Sequence, residues 1–243
     1  MCTVTYVSPA PGHFILTSNR DESANRAAKQ LVTVERYGQQ LMFPQDIGAG
    51  GTWIAASDHQ RVVCLLNGAF EGHRPQPPYR ISRGVMVLES FSYLKPADFF
   101  QQYIFEGIEP FTFIVSEKGQ LWEFRWDGSA SFLQELDPHA PHLWSSSTLY
   151  PAPVRAMRQQ WFKNWWSEGR TFDLEEVLAF HRTAGTGDPR NDVVMNRDGV
   201  VQTVSITSIE KMPKEINLRH FDLITAASYA AKMELKSELV ESN

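Results

Sequence analysis

Two cysteines, Cys2 and Cys64, are too few for a disulfide framework. No stretch approaches the ~20 consecutive apolar residues that a membrane span needs. The first residues carry no basic segment followed by a long apolar one, and they are not arginine-rich and acid-poor. Neither a secretory signal nor a transit peptide is therefore expected. A cytoplasmic, reducing compartment fits these absences and would keep a thiol reduced. Positive charge is not in excess either. The formal charge is −5, which gives nucleic acid or an acidic membrane no electrostatic hold. The strings G-x-S-x-G and H-E-x-x-H do not occur. The glycine-rich segment 44–51 lacks the G-x-G-x-x-G spacing and the lysine of a phosphate loop, and a strand follows it, which excludes a nucleotide site. His139 and His142 sit among prolines, no cysteine pair supports them, and the other histidines are scattered. No metal site and no cofactor are expected.

What is present is an ordinary globular composition, 42% hydrophobic and 21% charged over 243 residues. It is enough for one sizeable core, expected over residues 1–231, with a charged tail at 232–243 that frays. There is no internal repeat. Strands are predicted at 2–7, 13–18, 31–37, 41–43, 52–56 and 61–66. The proline-rich segment 71–78 is a loop, a lid for a pocket near Asn67. Ser82 caps a helix with apolar spacing at Val85, Leu88, Phe91 and Leu94, and Pro96 starts a second. Strands at 111–115 and 121–126 form a hairpin, followed by strands at 130–133 and up to Trp144. Residues 153–166 read as an amphipathic helix through Val154, Met157, Trp161 and Trp165. Asp173 caps another, with Glu176 three residues on. Strands at 193–195, 200–206 and 216–223 end the pattern. Antiparallel strands with helices grouped between them suggest an α+β fold of two stacked sheets flanked by helices.

The chemistry concentrates at the start of the chain. The side chain after Met1 is small, so removal of Met1 is expected to leave Cys2 with a thiol and an α-amine on one residue. Their reference pKa values, about 8.5 and about 7.7–8.0, let them act as nucleophile and base together. The strands at 2–7 and 13–18 fold back on each other, which returns Asn19, Arg20 and Asp21 to the side of Cys2. Asp21 is then placed to hold the ammonium, and Arg20 to favour the thiolate or bind a substrate anion. The competing readings are a buried, inert Cys2, a surface carboxylate at Asp21, a surface ion pair from Arg20 to Asp21 or Glu22, and an Asn19 that shapes the turn.

Cys2, Asn19 and Asp21 stand at the spacing of choloylglycine-hydrolase-like N-terminal nucleophile (Ntn) hydrolases. The string Asn19-Arg20-Asp21-Glu22 resembles the signature of the related NRDE family, also called the transport and Golgi organisation family. The likeness continues in Gly50-Gly51-Thr52-Trp53-Ile54, in Leu66-Asn67 and in Ser82-Arg83-Gly84, and fades after about Leu94. It implies a four-layer αββα sandwich and a hydrolase acting on a C–N, ester or thioester bond of a small acylated molecule. The alternative it admits is a non-enzymatic carrier of haem, lipid or acyl-thioester.

By the same resemblance, Asn67 matches the oxyanion-hole asparagine, through its amide or the neighbouring Gly68 N–H, with an Asn-Gly turn as the alternative. Ser146 stands where the relatives carry a second asparagine. Ser18 stands where the choloylglycine-type enzymes carry an arginine, so Arg20 does not simply inherit that role. Arg197 is the candidate for a late arginine of the site. The expected partner is a small-molecule substrate or ligand. The oligomeric state is not legible.

Overall fold

The computed structural model describes residues 3–26, 30–46, 48–169 and 172–236. Cys2 lies outside the described residues. The chain opens as a hairpin of β1 (Thr3–Ala10) and β2 (His13–Glu22), turned by Gly12 at φ +73°. Strand β2 does not stop before the Asn19-Arg20-Asp21-Glu22 string. It runs through it, because those residues pair with a later strand, β12 (Val201–Lys211). Asn19 is therefore a mid-strand residue rather than a turn former.

Strands β3 (Leu31–Arg36), β4 (Gln39–Pro44), β5 (Ile54–Ser57), β6 (Val62–Asn67), β7 (Phe111–Glu117), β8 (Gln120–Trp126) and β9 (Ser131–Leu136) form one sheet as an antiparallel meander in chain order. The other sheet has the order β10–β1–β2–β12–β13–β14, with β11 also paired to β12. Here β10 is His142–Ser145, β11 Asn196–Arg197, β13 Glu215–Asp222 and β14 Ser228–Glu234. Val4, Tyr6, Phe14 and Leu16 of one sheet meet Met42, Ile54, Cys64 and Leu66 of the other in the central core. Helices α1 (Arg83–Glu89) and α2 (Pro96–Gln102) cover the outer face of the meander through Met86, Val87, Leu88, Phe99 and Phe100. Helices α3 (Ala152–Ser167) and α4 (Leu174–Thr183) cover the other sheet through Phe162, Val177, Leu178 and Phe180. The result is an α+β, four-layer αββα sandwich. The strand period of two sorts each side chain to the central core or to a helix layer.

Several elements depart from the sequence pattern. The helix expected to run through Leu94 ends at Glu89 and tightens into a 3₁₀ turn, Ser90–Ser92. The buried Arg61 guanidinium takes the carbonyls of Ser90, Tyr93 and Leu94, and the Leu94 side chain is left 82% exposed. Residues 193–195 form no strand. Asn19 Nδ2 donates to the Val193 carbonyl, and Thr203 Oγ1 accepts from the Met195 N–H. Strand β12 extends to Lys211, past the apolar run, because Thr17 and Ser208 hydroxyls pair with each other and Thr207 pairs with His220. Strand β14 carries the chain past the expected boundary at 231, with Met233 buried in the central core. Residues 237–243 lie outside the described residues.

Candidate active site

Alternation along β2 splits the string between two faces. Ile15 packs toward the helices and Leu16 toward the other sheet. Asn19 and Asp21 share the first side, while Ser18 and Arg20 share the second. A register shift in β12 between Thr203 and Ser205 falls opposite Asp21 and Arg20. Such bulges re-aim side chains.

On the helix side lies a buried polar network. Asn19 Nδ2 donates to the carbonyls of His181 (3.0 Å) and Val193 (2.9 Å), and its Oδ1 lies 2.5 Å from His181 Nδ1. With the amide nitrogen committed as donor, Nδ1 of His181 carries the proton. Its Nε2 then accepts from Thr5 Oγ1 at 2.7 Å. Burial, with the nearby Arg158 charge, holds the His181 pKa down at about 3, so the ring is neutral. Asp21 accepts from Tyr150 Oη at 2.7 Å and from Thr203 Oγ1 at 2.5 Å. Two guanidinium groups lie against the Tyr150 ring, Arg158 at 3.7 Å and Arg197 at 5.1 Å from its centroid. Arg158, fully buried, donates to Thr3 Oγ1 at 2.5 Å and to the carbonyls of Asn191 and Asp192.

On the other side a cleft of about 540 Å³ opens between β2, β6, the 46–53 segment and the N-terminus of α1. Arg20 and Asn67 both line it. Arg20 is buried, its guanidinium 4.5 Å from the Trp53 ring centroid, 2.8 Å from Asp46 Oδ2 and bonded to the Arg26 carbonyl. Its partner is therefore Asp46 across the sandwich, not a neighbour in its own string. Arg26 pairs with the same Asp46 and with Glu22. Arg83 pairs with Glu109 at 2.9 Å. Burial pulls its pKa down, against that carboxylate.

The second motif of the sequence, Gly50-Gly51-Thr52-Trp53, is explained by this cleft. Thr52 N–H donates to the Gly84 carbonyl at 3.1 Å, and a Cβ on Gly51 would overlap the Gly84 carbonyl and the Val85 nitrogen. The start of α1 thus rests directly on backbone, which glycine alone permits. Gly51→Ala is expected to destabilise the fold by about 2–3 kcal/mol through overpacking, read as a lowered urea midpoint. A substitution that left the midpoint unchanged would contradict this contact.

Of the predicted residues, Arg20 and Asn67 share the cleft, while Asn19 and Asp21 belong to the network on the opposite face. Ser146 Oγ donates to the Asn67 carbonyl at 2.7 Å, so it fixes the end of β6. Gly68 N–H is given to the Pro110 carbonyl at 2.9 Å, which removes it as an oxyanion donor and leaves the Asn67 amide. Asn67 ends a strand rather than forming an Asn-Gly hairpin turn. Arg197 reaches Tyr150 and the Leu149 carbonyl, not the cleft. Ser18 lies beside Cys64, whose thiol burial pushes up to about 12. Arg158, Tyr150 and His181 were not singled out by the sequence. Arg158 was hidden on the face of α3 whose tryptophans suggested an apolar stripe.

The family model for Transport and Golgi organisation 2 matches residues 1–227. The chain belongs to this family. No curated protein sequence matches it. Among solved structures, a variant of conjugated bile acid hydrolase from Clostridium perfringens aligns at TM-score 0.61 and 9% identity, over 98% of this chain and 100% of that one. The Caenorhabditis elegans N-acylethanolamine-hydrolyzing acid amidase ortholog aligns at TM-score 0.56 and 15% identity, over 86% and 92%. Penicillin V acylase from Agrobacterium tumefaciens aligns at TM-score 0.53 and 7% identity, over 96% and 86%. This member of the Transport and Golgi organisation 2 family therefore has the fold of the Ntn hydrolases. Among its described residues no helix is long and apolar enough to cross a membrane.

Proposed function

We propose that the chain is a cysteine Ntn hydrolase that cleaves an amide, ester or thioester bond of a small acylated molecule. One observation carries the reading. Thr3, which follows Cys2 in the sequence, pairs with Asn19 on one side and Ser145 on the other. The next residues along, Arg20 and Ser146, respectively line the cleft and bond to Asn67 on its wall. The cleft's size suits a small molecule.

In this reading the thiol of Cys2 gives its proton to its own α-amine, and the thiolate attacks the acyl carbon. A C–S bond forms, the Asn67 amide stabilises the oxyanion, and the C–N, C–O or C–S bond to the leaving group breaks as that group takes a proton from the ammonium. Water then loses a proton to the amine as it attacks the thioester. The acid departs and the thiol is restored. In this reading Asp21, held by Tyr150 and Thr203, also receives the α-ammonium. Asn19 holds α4 against β2.

Intact mass and acyl-enzyme trapping test this reading. The expected result is loss of Met1 and a mass increase of one acyl group across a panel of amides and thioesters, absent in Cys2→Ala. A retained Met1, which blocks the amine, or a panel that leaves the mass of the processed chain unchanged, would overturn it in favour of a carrier.

A further inference from the structure

The cleft is not electrically neutral. Arg20, Arg26, Arg80 and Arg83 line it against Glu22, Asp46 and Glu109, one positive charge in excess on a chain whose formal charge is −5. The pairing shows where the excess resides. Asp46 is shared by Arg20 and Arg26, Glu22 also meets Arg26, and Glu109 meets Arg83. Arg80 has no carboxylate partner among the described residues. Its Nε donates to the Glu106 carbonyl at 3.3 Å, its Nη2 donates to the Ile104 carbonyl, and its guanidinium lies 5.6 Å from the Tyr103 ring centroid. Its backbone N–H is tied to the Gly107 carbonyl at 2.7 Å. Neutral groups thus hold the exposed guanidinium, with the Glu89 carboxylate reached only through the Tyr103 hydroxyl, so less side-chain entropy remains to be lost when an anion arrives. The rest of the lining mixes the apolar Leu65 and Ile81 and the rings of Trp53 and Tyr79 with the polar Thr52, Asn67 and Ser82. Trp53 also keeps a buried indole N–H without an acceptor among the described residues. The apolar part of this wall suits a short aliphatic acyl chain, and the cation suits an anionic group on it.

We propose that the molecule bound in this cleft is an acyl compound carrying an anionic group, a carboxylate or an equivalent oxyanion, and that Arg80 is the residue that receives it. The substrate class rests on the hydrolase reading. The role of Arg80 as an anion site does not.

The test uses matched probes. Half-esters of 4-nitrophenol with the dicarboxylic acids from glutarate to suberate are compared with neutral 4-nitrophenyl esters of equal acyl length, at two salt concentrations. The parent chain is expected to favour the half-ester of best length through KM. Arg80→Ala should reduce that preference roughly tenfold, in keeping with one charge-assisted contact. Arg80→Lys should restore part of it, and added salt should erode it. The neutral esters report any general loss in each chain, and the preference is read relative to them. An unchanged preference in Arg80→Ala overturns the proposal. If no ester is cleaved, the hydrolase reading fails separately. Calorimetric binding of suberamate against octanamide to the parent and Arg80→Ala chains then decides the anion site. Tighter binding of suberamate that is lost with Arg80 supports it, and equal binding by both chains overturns it.

Discussion

Replacing Arg158 with methionine is expected to cost about 3–5 kcal/mol of folding stability, one of the two largest effects any substitution outside the central core should have. The guanidinium is fully buried and joins three parts of the chain. It donates to Thr3 Oγ1 at the start of β1, to the carbonyls of Asn191 and Asp192 in the loop after α4, and it lies 3.7 Å from the centroid of the Tyr150 ring. Methionine fills much of the volume but leaves two part-buried carbonyls without this donor, each costing up to about 1–3 kcal/mol. It also releases Tyr150, whose hydroxyl is a donor to Asp21. Lysine should recover less than half of the loss. A single ammonium cannot reach the hydroxyl and both carbonyls while lying flat on an aromatic ring. Urea denaturation of the three chains measures this. A methionine variant within about 1 kcal/mol of the parent would mean that α3 and β1 are held by their apolar contacts alone, since surface-like substitutions stay within about 0.5 kcal/mol. The same experiment bears on the proposed chemistry, because Arg158 bonds Thr3 directly and reaches Asp21 through Tyr150.

The sheets were legible because their residues obey the strand period, and the αββα layering followed from a family resemblance rather than from periodicity. The signals failed where polar side chains took over backbone groups. Arg61 unwinds the end of α1 by collecting three carbonyls, and nothing in the spacing of Val85, Leu88, Phe91 and Leu94 foretells it. Strand β14 was missed because it is an edge strand with only Met233 fully inward. At the site, the three neighbours were placed together beside Cys2 without regard to the face each side chain takes. Asn19, Arg20 and Asp21 are neighbours in the chain, yet a strand turns alternate residues to opposite faces. Arg20 therefore meets Asp46 and Trp53, while Asp21 meets Tyr150 and Thr203. That partition was available from the period of two once the string was read as strand. The buried cation and the buried imidazole that complete the helix-side network were not, since an arginine or histidine on a helix face carries no mark of the partner it will find.

That imidazole gives the second large effect, a loss of stability on acidification. His181 has a pKa held at about 3 in the folded chain against an ordinary value of 6.5. The cause is first burial, which penalises the charged ring, and second the positive charge of Arg158. Between these two values the unfolded chain binds a proton that the folded chain refuses. Stability therefore rises with pH across this window and falls as pH is lowered through it. The slope approaches about 1.4 kcal/mol per pH unit, and the whole window is worth roughly 4–5 kcal/mol. Below about pH 3 both states are protonated and this contribution stops changing. Carboxylates titrate in the same range, so the His181 part is isolated by difference. His181→Gln should be less stable at neutral pH, having lost the fitted bonds to Asn19 and Thr5. Between pH 6 and 4, however, its stability should fall less steeply than the parent's by about 1.4 kcal/mol per unit. Parallel curves for the two chains would show that the ring is protonated in the fold. The assignment of Nδ1 as donor to Asn19 and Nε2 as acceptor from Thr5 would then fail with it.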